Sequence, residues 1–322
     1  MADVTDIAFR RMLAKYGKNS SNKNQVVFWT EFVSADGLCH KEGKKKLLHI
    51  LKFSKIEKPI VAQVFGANPV TMEKACKIIS KLGFDGIDIN MGCPDKSVVR
   101  QGAGSALIRT PALAREIIQA AVRGAGDLPV SIKTRVGFNK EEIDTWIPEL
   151  LKEDIKALTI HVRTKKEMSA VPANWDYVKR VVEMVKSHSA KAPRDREILV
   201  IGNGDVRSLA EGRKRILETG CDGVMIGRGV FGNPWFFSNQ GPTLNLKKGQ
   251  TLITLKTKAL IEHTKLFDKL LGKEKNFAVM KKHFKAYING WDGAKELRAK
   301  LMETETPKQA ISILTTFQKT TK

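Results

Sequence analysis

Disulfide and zinc chemistry have little to build on in this chain of 322 residues. Its four cysteines, Cys39, Cys76, Cys93 and Cys221, contain no CxxC pair. Neither a disulfide framework nor a dithiol or zinc site is therefore expected. No uninterrupted apolar run approaches the ~18 residues that a bilayer span needs. The segment Met1-Ala2-Asp3-Val4-Thr5-Asp6 has the features of neither a signal peptide nor an arginine-rich transit peptide. A cytoplasmic protein with no membrane partner is expected. Acids are also scarce: 34 stand against 56 lysines and arginines, a formal net charge of +22. Such a surplus points to a polyanionic partner. It is uneven, because residues 241–322 hold 17 basic residues against 7 acids. That concentration favours a dedicated binding surface, although charge alone does not separate RNA from DNA or anionic lipid.

Short apolar runs recur between Val26 and Arg228: Val26–Trp29, Ile60–Phe65, Gly86–Asn90, Pro129–Lys133, Ala157–His161, Ile198–Gly202 and Gly223–Gly227. Most are rich in valine and isoleucine and short enough to be buried parallel strands. Helical patterns separate them, at Pro69–Leu82, Pro111–Val122, Glu141–Lys152, Trp175–Val185 and Leu209–Leu217. The alternation predicts an α/β fold, a (β/α)8 TIM barrel with one strand unaccounted for. After Asn239 no strand-like run follows, and Thr251–Leu271, Phe277–Ile288, Ala294–Met302 and Lys308–Phe317 read as helices. The expected organisation is a barrel domain over residues 1–240 and a small helical domain over 241–322.

Polar residues gather at one end of the expected strands. Gln63, Asn90, Lys133, His161 and Asn203 each stand at a carboxyl-terminal strand end, where barrel enzymes carry their active sites. In Asn90-Met91-Gly92-Cys93-Pro94 the glycine and proline make a tight turn that presents the thiol. A buried structural role is the ordinary reading for Cys76 and Cys221, and it extends to Cys39. No histidine is close to Cys93 in sequence, so nothing specifies a cysteine–histidine nucleophile. A thiol with an unperturbed pKa of about 8.5 stays protonated at neutral pH and can act as a general acid. Gly202-Asn203-Gly204-Asp205 and Gly227-Arg228-Gly229 end the last two strands, whose loops commonly bind phosphate in this fold. Gly102-Ala103-Gly104 either shapes the loop after Cys93 or is an ordinary turn. Lys133 can hold negative charge on a cofactor ring, and His161 can donate a hydrogen bond or orient a neighbour.

These segments together resemble the tRNA-dihydrouridine synthase family over nearly the whole chain. The loop Asn90-Met91-Gly92-Cys93-Pro94 with Lys96 and Gly102-Ala103-Gly104 carries the most specific part of the resemblance. Val61-Ala62-Gln63-Val64-Phe65-Gly66, Ile132-Lys133-Thr134-Arg135 and His161 with Arg163-Thr164 match in order and spacing. So do Asn203-Gly204-Asp205 and Gly223–Gly229, with Gly232-Asn233-Pro234-Trp235 after it. Asp292–Arg298 resembles the family's helical RNA-binding domain. The resemblance implies bound FMN, NADPH as reductant and uridine in tRNA as substrate, with hydride passing to uracil C6 and Cys93 protonating C5. Gln63, Lys133 and His161 would contact the flavin. Asn203, Gly204, Gly227 and Arg228 would hold its phosphate end, with Asp205 beside them. Asn90 would meet flavin or substrate. Arg135 and Arg163 would meet RNA, as would Lys281, Lys282, Lys285 and Arg298. No obligate protein partner is implied, and a monomer is expected.

Three features depart from that pattern. Family members have a first strand ending in Pro-Met-Ala before Val-Thr-Asp, whereas here Val4-Thr5-Asp6 opens the chain; the first barrel strand is expected to be missing. Val162 replaces a small residue, and Ser169-Ala170-Val171-Pro172 replaces the usual loop. Ser187–Glu197 lengthens a connection and is expected to be a solvated basic loop. Two other readings compete. Another FMN barrel, such as a dihydroorotate dehydrogenase-like reductase, would ignore tRNA. An inactive tRNA-binding flavoprotein would bind tRNA without turnover.

Overall fold

The computed structural model describes residues 1–17, 26–190, 197–238 and 251–320. The chain forms two compact units. One comprises Met1–Glu31, Lys52–Lys58 and Gly229–Lys322; the other comprises Phe32–Leu51 and Pro59–Arg228. The boundary expected at 240/241 lies outside the described residues.

The second unit is built on seven parallel strands: β2 (Val33–Ser34), β3 (Ile60–Phe65), β4 (Gly86–Met91), β5 (Val130–Arg135), β6 (Ala157–His161), β7 (Leu199–Asn203) and β8 (Gly223–Met225). Each bonds to the next in sequence order. A doubly wound sheet reverses its strand order at a switch point; this one never reverses, so it winds in one direction as a barrel does. The α/β barrel class is thus the observed fold. Every residue of β4 is buried, as expected of a strand covered on both faces. Helices α2 (Ala35–Cys39) and α3 (Lys41–Leu47) follow β2, and α4 (Pro69–Ser80) follows β3. After β4 come α5 (Lys96–Arg100), a 3-10 turn (Gly104–Arg109) and α6 (Pro111–Ala125). Helices α7 (Ile143–Leu151), α8 (Asp176–Ser189) and α9 (Leu209–Thr219) follow the next three strands. Local chemistry starts these helices where they start. Asn68 Oδ1 accepts from the Val70 and Thr71 amides with Pro69 at the first helical position, which satisfies orphan donors and presets φ.

Expectation and structure differ in two places here. The run Val26–Trp29 yields only β1 (Phe28–Trp29), which belongs to the first unit. Within the second unit the partner of β3 is Val33–Ser34, where Val33 faces Val64. Two residues are too short to show an alternation in the sequence, and Ser34 already caps α2 by accepting from Gly37 N. Ser187–Glu197 begins as the last turn of α8, and 191–196 lie outside the described residues. Among the described residues no strand precedes α1 (Ile7–Gly17).

The first unit is helical. It holds α1, α10 (Leu252–Leu271), α11 (Met280–Tyr287), α12 (Ala294–Met302) and α13 (Pro307–Thr320). Their apolar faces share one core that includes Met12, Leu260, Phe267, Phe284, Leu301 and Leu314, so the helical region expected at the carboxyl end is present and takes in the amino-terminal helix as well. No helix among the described residues is long and apolar enough to cross a membrane.

This core buries two histidines. The rings of His263 and His283 lie 4.5 Å apart and both pack on Phe9. None of their four nitrogens has a hydrogen-bond partner among the described residues. Burial lowers His263 to about 3 and His283 well below its ordinary value, the latter helped by His263, Lys282 and Lys275. An unfolded chain would take up protons below about pH 6.5 that the folded rings refuse. Their contribution is therefore complete above that pH and is lost as pH falls, at up to about 1.4 kcal/mol per pH unit for each ring. Asp6, which burial pushes up to about 6, works the other way as pH falls below that value. Denaturant unfolding at about pH 7 and pH 5 should show a net loss, and His283→Phe should flatten it. Identical pH slopes in the two proteins would mean that the ring is charged in the fold.

Candidate active site

In a parallel strand alternate residues share a face. Ser131, Lys133 and Arg135 therefore line one side of β5, next to Asp88 and Asn90 of β4, because Asp88 pairs with Ser131 and Asn90 with Lys133. Thr159 and His161 continue the rows on β6, and Asn203 pairs with His161. The five strand-end residues expected from the sequence are thus neighbours in space.

Their polar atoms form a chain. Asn90 Nδ2 donates to Gln63 Oε1 (3.2 Å), and Gln63 Nε2 donates to Asp88 Oδ2 (2.7 Å). Ser131 Oγ donates to Asp88 Oδ1 (2.7 Å). Asn90 Oδ1 is left to accept from the amides of Gly92 (3.2 Å) and Cys93 (2.9 Å), so the asparagine sets the turn that carries the thiol. Asp88 and Ser131 were not foreseen; each stands two residues before a residue that was, on the same face of the same strand, which is the signal that could have found them.

The other end of the cysteine loop is also held. Cys93 O accepts from Ser105 N (3.0 Å). Gly104 has φ +60°, and a Cβ there would lie 2.9 Å from Cys93 O, so glycine is required for the loop to close on itself. Cys93 is half-buried beside Phe32 and Ala67, packed on Phe65, Val98 and Ala103. Burial raises its thiol pKa; the Asp95 amide, Arg135 and Lys133 oppose that shift without reversing it. The thiol is protonated at neutral pH.

Arg135 and Arg163 act on main chain. Arg135 Nε donates to Gly92 O (2.8 Å), and its Nη1 donates to Thr164 O (3.1 Å) and Met168 O (3.3 Å). Arg163 Nε donates to Val171 O (2.7 Å), and its guanidinium pairs with Asp205. The two arginines are 7% and 2% exposed. Their donors are directed at the protein, and their geometry is that of braces for the loops after β4, β6 and β7. Asp205 likewise faces cations: it pairs with Arg163 and with Arg228 Nη2 (2.7 Å) and accepts from Ala173 N (3.3 Å). A carboxylate would repel a phosphate, so Asp205 is placed to orient Arg228. Asn203 Nδ2 donates to Met225 O (2.8 Å).

His161 is held neutral. Burial, then Lys133, Arg135, Arg163 and Arg228, lower it to about 2. Arg163 Nη1 approaches His161 Nε2 at 3.4 Å. A guanidinium only donates, so Nε2 is the acceptor and Nδ1 carries the proton. Lys133 has no hydrogen-bond or ion-pair partner among the described residues, and its side chain is half-buried. Burial and Arg135 lower its pKa to about 8. A half-buried ammonium with no partner is open to an external acceptor.

The chemistry of these groups suits an anion with ring acceptors. Lys133 is a half-buried cation with no partner, His161 offers one N–H, and the amides of Gly204, Gly227 and Arg228 have no acceptor among the described residues. Gly204, at φ +152°, would place a Cβ 2.9 Å from Val162 Cγ2, so the valine that departs from the family pattern fills the space behind the glycine. The donor set fits a flavin mononucleotide: ring acceptors for Lys133 and His161, a phosphate for the amides and Arg228.

The remaining expected residues belong to the first unit. Lys282 and Lys285 are exposed and Lys281 is partly buried. Arg298 Nη1 donates to Ile288 O (2.8 Å) at the end of α11 and serves as a helix cap there.

A parallel barrel with a polar site at its carboxyl-terminal strand ends is the architecture of a large class of enzymes. Within it this chain belongs to the dihydrouridine synthase family, whose model matches residues 1–322. It is 38% identical over 321 residues to "Probable tRNA-dihydrouridine synthase 2" of Bacillus subtilis (strain 168), covering 99% of this chain and 92% of that protein. It is 38% identical over 320 residues to "Probable tRNA-dihydrouridine synthase" of Staphylococcus aureus (strain MRSA252), covering 99% and 91%. The family name states a product with two hydrogens added to uridine, so the enzyme is an oxidoreductase. Among solved structures, that of morphinone reductase in complex with tetrahydroNAD superposes with a TM-score of 0.44 and 12% identity over 73% of this chain and 81% of that one.

Proposed function

We propose that this protein is an FMN-dependent tRNA-dihydrouridine synthase that draws electrons from NADPH and acts in the cytoplasm as a monomer. The observation that carries the reading is the protonated thiol of Cys93, held by Asn90 and Arg135 at the end of the barrel that also presents the unpaired Lys133. FMN, when bound, supplies the hydride that uracil C6 receives. Lys133 and the N–H of His161 would hold its ring end with Gln63 beside them, while the amides of Gly204, Gly227 and Arg228, with Asn203 nearby, would hold its phosphate. Cys93 Sγ gives its proton to C5: the S–H bond breaks, a C–H bond forms, and the thiolate regains a proton from solvent. Asn90 and Arg135 keep the thiol in place during that transfer. Lys281, Lys282 and Lys285 offer positive charge to the tRNA backbone.

The test is anaerobic incubation of the purified protein with unmodified tRNA and NADPH. Mass spectrometry should find dihydrouridine in the RNA, and flavin released by denaturation should be FMN. Mapping the residue lost from tRNA of cells lacking the protein identifies the position modified. A yellow protein whose flavin tRNA never reoxidises would be a binding protein, and one that reduces a free pyrimidine while ignoring tRNA would be a small-molecule reductase.

Arg228→Ala should weaken FMN retention. The side chain is 68% exposed, so the loss should fall near the lower end of the ~1.5–3 kcal/mol typical of a charge-assisted hydrogen bond. Equilibrium dialysis of FMN checks it; an affinity equal to wild type would remove Arg228 from the phosphate site.

A further inference from the structure

We infer that Arg109 and Lys165, stacked on Phe138, form a clamp for the phosphate backbone of the RNA strand that enters the active site; the inference rests on tRNA being the substrate. The three residues come from three loops at the carboxyl-terminal ends of the strands. Arg109 ends the 3-10 turn Gly104–Arg109, the same turn whose Ser105 amide donates to Cys93 O. Phe138 lies in the loop after β5 and Lys165 in the loop after β6. The Arg109 guanidinium carbon is 4.3 Å from the centre of the Phe138 ring, and Lys165 Nζ is 4.9 Å from it.

The arrangement is rigid where it meets the fold. Lys165 N donates to Gly137 O (2.9 Å) and Lys166 N donates to Phe138 O (2.9 Å), so the two loops are joined main chain to main chain. Phe138 is buried, and its amide donates to Glu142 Oε2 (2.8 Å). The cations are left without counter-charge. Neither the Arg109 nor the Lys165 side chain makes an ion pair or hydrogen bond among the described residues. The acids of the same loops are engaged elsewhere: Glu142 by the Phe138 amide, Glu167 by the Thr164 amide (2.7 Å), and Glu141 by Arg180 (2.9 Å). Lys140 and Lys166, in these loops, are exposed.

A cation over a phenyl face is attracted by the ring, but two cations on one ring repel each other. A protein that gathers them without an acid keeps a site for an external anion. The ring itself is covered by its cations, so it is a mount for charge and offers no face for base stacking. The anion of matching chemistry is an RNA phosphate. The target uridine has to leave its stack to reach Cys93, and a strand opened in this way brings its flanking phosphates to the loops around the thiol. Positive grooves that track a single strand follow the same logic.

The test uses the full-length, flavin-loaded protein and an unmodified tRNA transcript. Arg109→Gln with Lys165→Gln should raise KM for tRNA about tenfold and make the slope of log affinity against log salt shallower by about 1–2, since each phosphate contact contributes roughly 0.7–0.9. Bound flavin should remain at the wild-type ratio. The charge-conserving pair Arg109→Lys with Lys165→Arg should keep the wild-type slope. Arg123→Gln removes the same kind of charge from α6, where Arg123 pairs with Glu73 (3.0 Å), and should leave KM unchanged. If the double glutamine variant loses flavin, the single variants are read by the same criteria, each expected to remove about half of the slope change. A wild type that turns over tRNA beside glutamine variants of unchanged KM and slope overturns the clamp alone. An equal loss in Arg123→Gln overturns it too, since general charge would then explain the effect. A wild type that neither binds nor reduces tRNA overturns the substrate reading together with the clamp.

Discussion

Cys93→Ala should slow reoxidation of the reduced flavin by tRNA about 10²–10⁴-fold, the range that a positioned general acid contributes, while leaving FMN and tRNA bound. Hydride arrival at C6 builds negative charge on C5 and the neighbouring carbonyl, and a nearby proton relieves it. Burial keeps the Cys93 thiol protonated against the pull of the Asp95 amide, Arg135 and Lys133. Because the thiol is the active form, the rate should fall as pH rises through this raised pKa. Cys76 and Cys221 are buried, and neither shares the loop that Asn90 sets, so their alanine variants should keep the rate. The measurement is single-turnover, anaerobic flavin reoxidation by tRNA. A Cys93→Ala rate within about threefold of wild type, far short of the acid-catalysis range, would take the thiol out of the reaction.

Glu57→Ala should cost about 3–5 kcal/mol of stability, the range for breaking one side of a buried ion pair. The pair is Arg10 with Glu57 at 2.7 Å, with side chains 1% and 0% exposed. Arg10 also donates to Thr5 O and Lys52 O, both at 2.7 Å. Glu57 Oε1 accepts from the amide (2.7 Å) and hydroxyl (2.8 Å) of Ser54. Removing the carboxylate strands a guanidinium with no water to solvate it and also frees the turn it caps. Replacing both partners with apolar residues of similar volume should cost far less, because no charge is then left buried. Denaturant unfolding of the three proteins compares them. A Glu57→Ala loss under about 1 kcal/mol, the value of an exposed pair, would mean that water reaches Arg10.

Much of the barrel was legible because its signals are local. β3 and β6 coincide with apolar runs read from the sequence, and the other long strands differ by a residue or two at their ends. A buried parallel strand must be apolar along its length, so composition alone marks it. The strand-end residues were legible for a related reason. A single Lys133 or His161 interrupting a valine- and isoleucine-rich run has to be explained by what lies at its end. Val33–Ser34 was not legible, because two residues carry no period. Neither was the membership of α1, whose apolar face says only that it packs somewhere; Phe9 and Met12 could have faced any core until α10 and α11 supplied one.

The sequence by itself determined which residues could do chemistry: a thiol in a glycine–proline turn, a lysine and a histidine at strand ends, glycines that let amides approach a phosphate. It also determined the family, since those residues recur in order along the whole chain. What each charge meets was decided only by the tertiary structure. Arg135 and Arg163 read as free cations in the sequence, yet the fold turns their donors onto carbonyls and Asp205. Arg109 and Lys165 carry no mark in the sequence, yet 56 residues apart they come to share the ring of Phe138. A side chain's type is local, but its partner comes from strands and loops distant in sequence, and the pairing of charge with charge, or its absence, exists only once those loops are brought together.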